Sequence, residues 1–528
     1  MKKLVSLSLS AICALTCLAG VGCGGGGNAS TAGGKQKLQI YVLEQGYGRD
    51  WATNMKDAFM KQAWVKEKYP ELEVELTIND NIGFASNQMQ NGAKYNGFDI
   101  LFGTDSLSSY YGTKDVLDLT ECVYNKEVPG ETILYKDKLN ESAGYSFAKE
   151  KEDGTHYYAT PYFIGQYGII YNVNELQKYT AEVPRTTDEL IAVCDKIKAA
   201  NKYSFVWGND ASYWSKEGGI LEVLWAQYNG VDAYDDYFNG IDRGALSVNI
   251  FKQKGRLYAL EFLEKILNKN NGYYDVNVVN NDAYTLAQQK FYLGQAVFHY
   301  NGDYFIDENK ESFDKLQAAN LNPSEVIMMR TPIISKIIEK CDTIESDAEL
   351  SALVKAIDNA STALTGEGYS VSQDDFDKIL EARGIVGTVG PAPAIIPAYA
   401  DAQEVAIDFL RFMATNEGIA EYAKGTNGST IDFKCDLSKT HPDVFNNLSQ
   451  FHKDRLAYLN ADNLEIYVLR KGSTYPLGTY GGVTVVAAEK WHNELMGGRT
   501  AQALYDETIA KWDTGSFDAA LAASGLSK

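Results

Sequence analysis

Hydrophobic and polar positions along the chain fall into two series in which strand-like and helix-like segments alternate. In the first, Leu38, Ile40 and Val42 alternate with less apolar residues, and Trp51, Met55, Ala58, Phe59 and Val65 then share one helical stripe. Leu72, Val74, Leu76 and Ile78 alternate again. After a Gly/Asn/Gln-rich stretch of ambiguous pattern (83–97), the run Phe98 to Phe102 reads as a buried strand. The second series begins near Tyr167. Gly168 to Tyr171 and Tyr203 to Trp207 read as strands, and Ala296 to Tyr300 as one more. Between the first two, Thr186-Thr187-Asp188-Glu189 is a capping-box start for a helix over 189–199. Alternation at these lengths predicts βαβ units and mostly parallel sheets. Two such series predict two α/β lobes.

A later block is helical. Ser346-Asp347-Ala348-Glu349 is a second capping box, followed by the stripe Leu350, Leu353, Val354 and Ile357. Phe376, Ile379 and Leu380 begin another stripe, with Gly384 as its stop. The run 387–397 holds three of the eleven prolines and reads as an ordered crossing or hinge. Val405, Phe409, Phe412 and Met413 mark one more helix, and a loop follows over 425–430.

Composition narrows the function. At 528 residues the chain exceeds one typical domain, and its 45% hydrophobic content suits globular cores. The formal charge of −21 argues against a nucleic-acid or anionic-membrane partner, since both need basic surface. Of seven Cys, Cys13, Cys17 and Cys23 lie near the start; Cys122, Cys194, Cys341 and Cys435 are widely spaced, with no C-x-x-C pair. Cys194 shares a helical face with Leu190, Val193 and Ile197, which predicts a core position.

The first residues carry an address. Lys2 and Lys3 precede an apolar stretch (4–19) too short and Ser-rich for a membrane span, and small residues lead to Cys23. With the glycines that follow, this resembles a bacterial lipoprotein signal: 1–22 removed, Cys23 lipidated, and 23–36 a flexible tether. Gly20 stands where that pattern usually has Leu. Ordinary cleavage near Ala19, leaving a free Cys, is the alternative, and either reading exports the chain.

Four predicted strands end in similar loops. They are Glu44 to Trp51, Gly103 to Tyr111, Gly208 to Trp214 and Asn301 to Phe305, each rich in Gly, carboxylate or amide, and aromatic residues. Ligands of open α/β sheets collect beyond the carboxyl ends of strands. Carboxylates and amides bond vicinal hydroxyls, and flat rings offer C–H faces a stacking surface. The combination suits a sugar, although each loop alone reads equally well as turn residues beside packing aromatics.

Three ordered segments then resemble the family 1 extracellular solute-binding proteins of ABC transporters: Asp153 to Tyr162, Gly165 to Asn172 and Val183 to Leu190. Their counterparts there are a "GK-x-YG-x-P" turn, a "YG-x-x-YN" strand and a "VP-x-TWDEL" helix start. Phe291 to Val297 with Asn301-Gly302, Asp408 to Met413 and Leu495 to Asp506 extend the likeness over nearly the whole chain. Thr187 stands where the pattern has Trp, His156 sits near the Lys of the turn, and 333–390 is longer than usual.

The resemblance implies an α/β, two-lobed, periplasmic-binding-protein-like fold with hinge strands and extra helical segments. Lobe one would take 37–160 and 326–415, and lobe two 161–325 and 416–528. It implies a monomer, anchored by lipid alone at the extracellular face of the cell membrane or in the periplasm, that closes on a sugar or oligosaccharide and delivers it to an ABC permease without a cofactor. Tyr47 and Asp105 would line lobe one. Tyr162, Trp214, Asn301, Asp303 and Tyr304 would line lobe two, with Trp214 and Tyr304 as stacking platforms. Two rivals remain: a peptide, polyamine or metal as solute, and an exported glycoside-active enzyme using Asp105 and Asp303 as its two carboxylates. H-E-x-x-H, G-x-S-x-G and P-loop motifs are all missing from the sequence.

Overall fold

Strands β1 (Lys37–Leu43), β2 (Glu73–Asn79), β3 (Ile100–Phe102), β4 (Thr160–Gly165) and β9 (Gly390–Ile395) form the first sheet, in the order β2-β1-β3-β9-β4. A second sheet has the order β8-β5-β7-β6, from β5 (Tyr167–Asn172), β6 (Tyr203–Phe205), β7 (Ala296–Gly302) and β8 (Val326–Met328). The structure, a computed structural model, describes residues 36–526 apart from 140–143, 145, 389, 430, 432, 471, 473–474 and 485–490. The signal region, Cys23 and all but the last residue of the expected tether lie outside the described residues.

Both sheets are mixed, not mostly parallel. β1 runs parallel to β2 and β3, and β7 parallel to β6, as the βαβ pattern requires. β9 opposes both β3 and β4, and β5 opposes both β7 and β8. The antiparallel members include the strands at the crossings: β4 ends at Gly165, Gln166 intervenes, and β5 begins in the other sheet.

Burial explains why β1 reads as alternating yet is almost wholly enclosed. Leu38, Ile40 and Val42 enter one core with helix α1 (Asp50–Lys61), and Tyr41 and Leu43 enter another with Leu101, Leu107 and Ile395. A sheet covered on both faces needs apolar residues at odd and even positions alike. Helix α2 (Thr187–Ala199) starts where expected, with Thr186 Oγ1 accepting from Glu189 N at 3.2 Å. The Glu189 carboxylate accepts from Arg185 N instead of closing the box on Thr186. Helix α3 (Asp347–Asp358) carries the complete capping box on Ser346 and Glu349. Cys194 is buried in the second core.

The expected lobe boundaries shift. β8 belongs to the second sheet, and Ile333 to Val386, including α3 and α4 (Gln373–Gly384), packs in the second core. The return to the first sheet therefore begins at β9, not at 326. Helices α5 (Gln403–Met413) and α6 (Asn416–Gly425) enter the first core, and so do Val444 and Leu448, well beyond 415. Thr187 is buried with its hydroxyl on Ser335 Oγ at 3.1 Å, so the long inserted segment packs where the family pattern has Trp. Among the described residues, no helix is long and apolar enough to cross a membrane.

Candidate ligand crevice

The loops after β1 and β7 meet at the crossing. An added Cβ on Gly46 would lie 3.1 Å from the Tyr304 ring, so the first sheet's loop rests against the second's and a side chain there would require the ring to shift. From this contact a chain of aromatic rings extends both ways. Tyr47 stacks on Phe163 of β4 at 4.0 Å between centroids, and Phe163 lies 6.2 Å from Tyr304. The Tyr304 and Tyr213 hydroxyls lie near each other. Tyr213 meets Tyr167 edge-on at 5.8 Å, Tyr167 lies 6.0 Å from Tyr300, and Tyr300 stacks on Trp214 at 4.8 Å.

Polar groups anchor the rings. The Tyr162 hydroxyl donates to the Gly103 carbonyl at 3.1 Å and lies 3.1 Å from the Tyr47 hydroxyl. Tyr47 in turn donates to Gln45 Oε1 at 2.8 Å. Asp303 is fixed twice: its N–H donates to the Gln166 carbonyl at 2.9 Å, and its carboxylate ion-pairs with Arg455 Nε at 2.5 Å. Arg455 comes from helix α7 (Gln450–Leu459). Burial pushes the Asp303 carboxyl above its ordinary range, and the Arg455 guanidinium opposes that rise.

The expected site residues thus separate into groups. Tyr47, Tyr162 and Tyr304 converge at the crossing, beside Asp303, with Tyr162 on β4 of the first sheet and not in lobe two as expected. Asp105 opens the 3-10 turn Asp105–Tyr110 just after β3, and its side chain lies outside the described residues. Asn301 turns inward, with Nδ2 3.2 Å from His299 Nε2 and Oδ1 accepting from Gly302 N. Trp214 is 1% exposed, enclosed by Tyr300, Phe205 and Trp207, and offers no open ring face in this conformation. Tyr213, Phe163 and Arg455 were not singled out from the sequence. Tyr213 lies within the loop Gly208 to Trp214, whereas Arg455 carries no local signal at all.

Below Asp303 sits a second buried carboxyl. Asp307 accepts from Ser429 Oγ at 3.3 Å and faces His452 Nε2 at 3.7 Å, joining the loop after β7 to the segment after α6. Burial pushes Asp307 up to about 8, against the pull of the Asn427 and Ser429 side chains. Burial, then Arg455, pushes His452 down to about 3. Between about pH 4 and 8 the folded state keeps an Asp307 proton that the unfolded chain has lost, so this group makes stability fall as pH rises. His452 acts oppositely between about pH 3 and 6.5, where only the unfolded chain binds its proton. Above about pH 6.5 Asp307 acts without that opposition, at up to about 1.4 kcal/mol per pH unit. Denaturant titrations at pH 6.5 and 8 should therefore show a drop for the native chain and a smaller one for Asp307→Asn. Equal drops would exclude Asp307 as the titrating group.

Residues 51–420 match the bacterial extracellular solute-binding protein family. The chain belongs to that family. Its members are binding proteins of the ABC-transporter type, not enzymes. No curated protein matches the sequence. Among solved structures, a chitin oligosaccharide binding protein is similar at 16% identity, covering 92% of this chain and 100% of that one, with a TM-score of 0.54. RafE in complex with raffinose is similar at 13% identity, over 90% and 98%, with a TM-score of 0.52. A probable secreted solute-binding lipoprotein from Streptomyces coelicolor is similar at 12% identity, over 91% and 99%, with a TM-score of 0.57. At these identities the likeness is one of fold, and it covers the two-lobed architecture.

Proposed function

We propose that this solute-binding protein captures a sugar or oligosaccharide at the crossing between its lobes and delivers it to an ABC permease. The observation that carries the reading is the meeting of two strand-end loops from different sheets on a run of tyrosines beside buried carboxyls. Tyrosine rings supply stacking faces, and the carboxyl, amide and hydroxyl groups around them supply hydrogen bonds in both senses. The raffinose-bound RafE and the chitin oligosaccharide binding protein support the same solute class. In the conformation described, Gly46 lies against Tyr304, so the ligand enters when the lobes part and is enclosed when they close.

Tyr304, with Tyr213 beside it, is the proposed platform, and Tyr47 and Asp105 act from the first lobe. Tyr162, Asn301 and Asp303 hold the walls, and Trp214 supports Tyr300 from behind. A calorimetric panel of neutral oligosaccharides tests this. One of them should bind, and Tyr304→Ala should weaken it about tenfold, in line with a stacking contribution of about 0.5–1.5 kcal/mol. Binding of putrescine or a peptide in place of every sugar would reassign the solute.

The N-terminal pattern supports lipid attachment through Cys23, holding the protein at the outer face of the cell membrane as a monomer beside its permease. Cys23→Ser should move the protein from the membrane fraction to the soluble one. Unchanged fractionation would remove Cys23 as the anchor.

A further inference from the structure

We propose a second binding site, adjoining the crevice across Gln166, Tyr167 and Arg455, that takes a small hydroxylated carboxylate and anchors it on Arg330. A cavity of about 320 Å³ lies between the β8 edge of the second sheet, the segment 183–185, and helices α4 and α7. That volume sits at the small-ligand end of the roughly 300–1,000 Å³ usual for binding pockets. None of the residues expected to hold the sugar lines it.

Its wall carries four guanidiniums (Arg185, Arg330, Arg383 and Arg455) against two carboxylates (Asp358 and Asp454), with Arg185 paired to Glu182 and Arg455 to Asp303 outside the wall. Asp358 receives Arg383 through two parallel bonds, Nε to Oδ1 and Nη2 to Oδ2, both 2.8 Å. That pair is complete by itself. Arg330 reaches the same carboxylate with Nη1 alone, at 2.8 Å on the oxygen Arg383 Nε already uses. One carboxylate therefore faces two guanidiniums. Although burial acts to raise it, Asp358 is held below its ordinary range by Arg383 and Arg330, as the excess charge requires.

The Arg330 guanidinium lies 4.6 Å from the centre of the Tyr458 ring, which orients it without neutralising it. Its side chain is 24% exposed, so its charge is reachable from the cavity. Arg455 lines the same cavity with its side chain 95% buried, and its Nη1 has no hydrogen-bond partner among the described residues. A planar fork with spare donors beside a second unsatisfied guanidinium matches a carboxylate better than a spherical anion. Gln166, Tyr167 and Tyr171 complete the wall with an amide and two hydroxyls suited to ligand hydroxyls. The remaining acid, Asp454, accepts from Gln450 at 2.6 Å and can take a hydroxyl donor on its other oxygen.

Calorimetry with D-glucuronate, D-glucose and inorganic phosphate as separate titrants tests the site. Glucuronate should bind the native protein, and glucose should not compete with it. Arg330→Gln should weaken glucuronate at least tenfold while leaving any neutral oligosaccharide titration unchanged. Gln166→Ala is the second variant, expected to weaken glucuronate several-fold with an unchanged thermal midpoint, should Arg330→Gln fold poorly. The proposal is overturned if glucuronate does not bind, if both variants bind it as the native chain does, or if a neutral oligosaccharide displaces it, which would assign it to the crevice. Phosphate binding as tightly as glucuronate would overturn the carboxylate class.

Discussion

Asp303→Asn is expected to destabilise the protein by about 3–5 kcal/mol, because it leaves the Arg455 guanidinium buried with no counter-charge. The side chains of the pair are 1% and 5% exposed, so solvent does little to screen the change. Asn keeps the shape of Asp and the backbone bond to Gln166, which isolates the charge as the variable. Denaturant unfolding measures it. The double variant Asp303→Asn with Arg455→Met should recover most of the loss, since a buried pair replaced as a whole is often neutral or even stabilising. A single-variant loss below about 1 kcal/mol would mean that the Asp303 carboxyl is already protonated in the native state and that the ion pair contributes little. The prediction also bears on function: a carboxylate held by Arg455 orients the loop after β7 and is not free to act as a glycosidase acid.

Periodicity made most of the framework legible, because local signals produced local structure. The Ser346 capping box, the stripe over 350–357 and the strand at 296–300 all depend on residues within a few positions of each other. The proline-rich crossing was legible for the same reason, and Pro393 sits at the register shift in β9, where a missing N–H donor is tolerated. What failed depended on distant partners. The direction of β9 and β5 is set by chain crossings that no window of sequence contains, so mixed sheets read as parallel. The placement of 333–386 in the second core depends on contacts such as Thr187 with Ser335, which lie far apart along the chain.

The candidate site divides along the same line. Tyr47 and Tyr304 follow strand ends, and a strand end fixes its own loop, so their convergence could be foreseen. Arg455 could not, because it sits on a helix whose sequence gives no sign of the carboxylate it meets. Tyr213 and Trp214 are adjacent, and the sequence could not tell which ring faces the crevice. The turn Ser212–Ser215 decides it by sending Tyr213 toward Tyr304 and Trp214 into the core.

That division makes Trp214→Ala and Tyr304→Ala opposite experiments. Trp214 is enclosed by Tyr300, Phe205 and Trp207, so its truncation removes a large buried surface and leaves a cavity, at a cost of about 3–5 kcal/mol. Tyr304 is only partly buried and is the proposed stacking platform, so its truncation should cost far less stability and more affinity. Denaturant unfolding of both variants, paired with calorimetry on the folded fraction, separates the roles. Trp214→Ala should show a large drop in stability, with affinity reduced only as far as Tyr300 and Tyr213 shift. If instead Trp214→Ala unfolds like the native chain and loses its sugar, the indole must swing into the crevice when the lobes part. Trp214, not Tyr304, would then be the stacking platform.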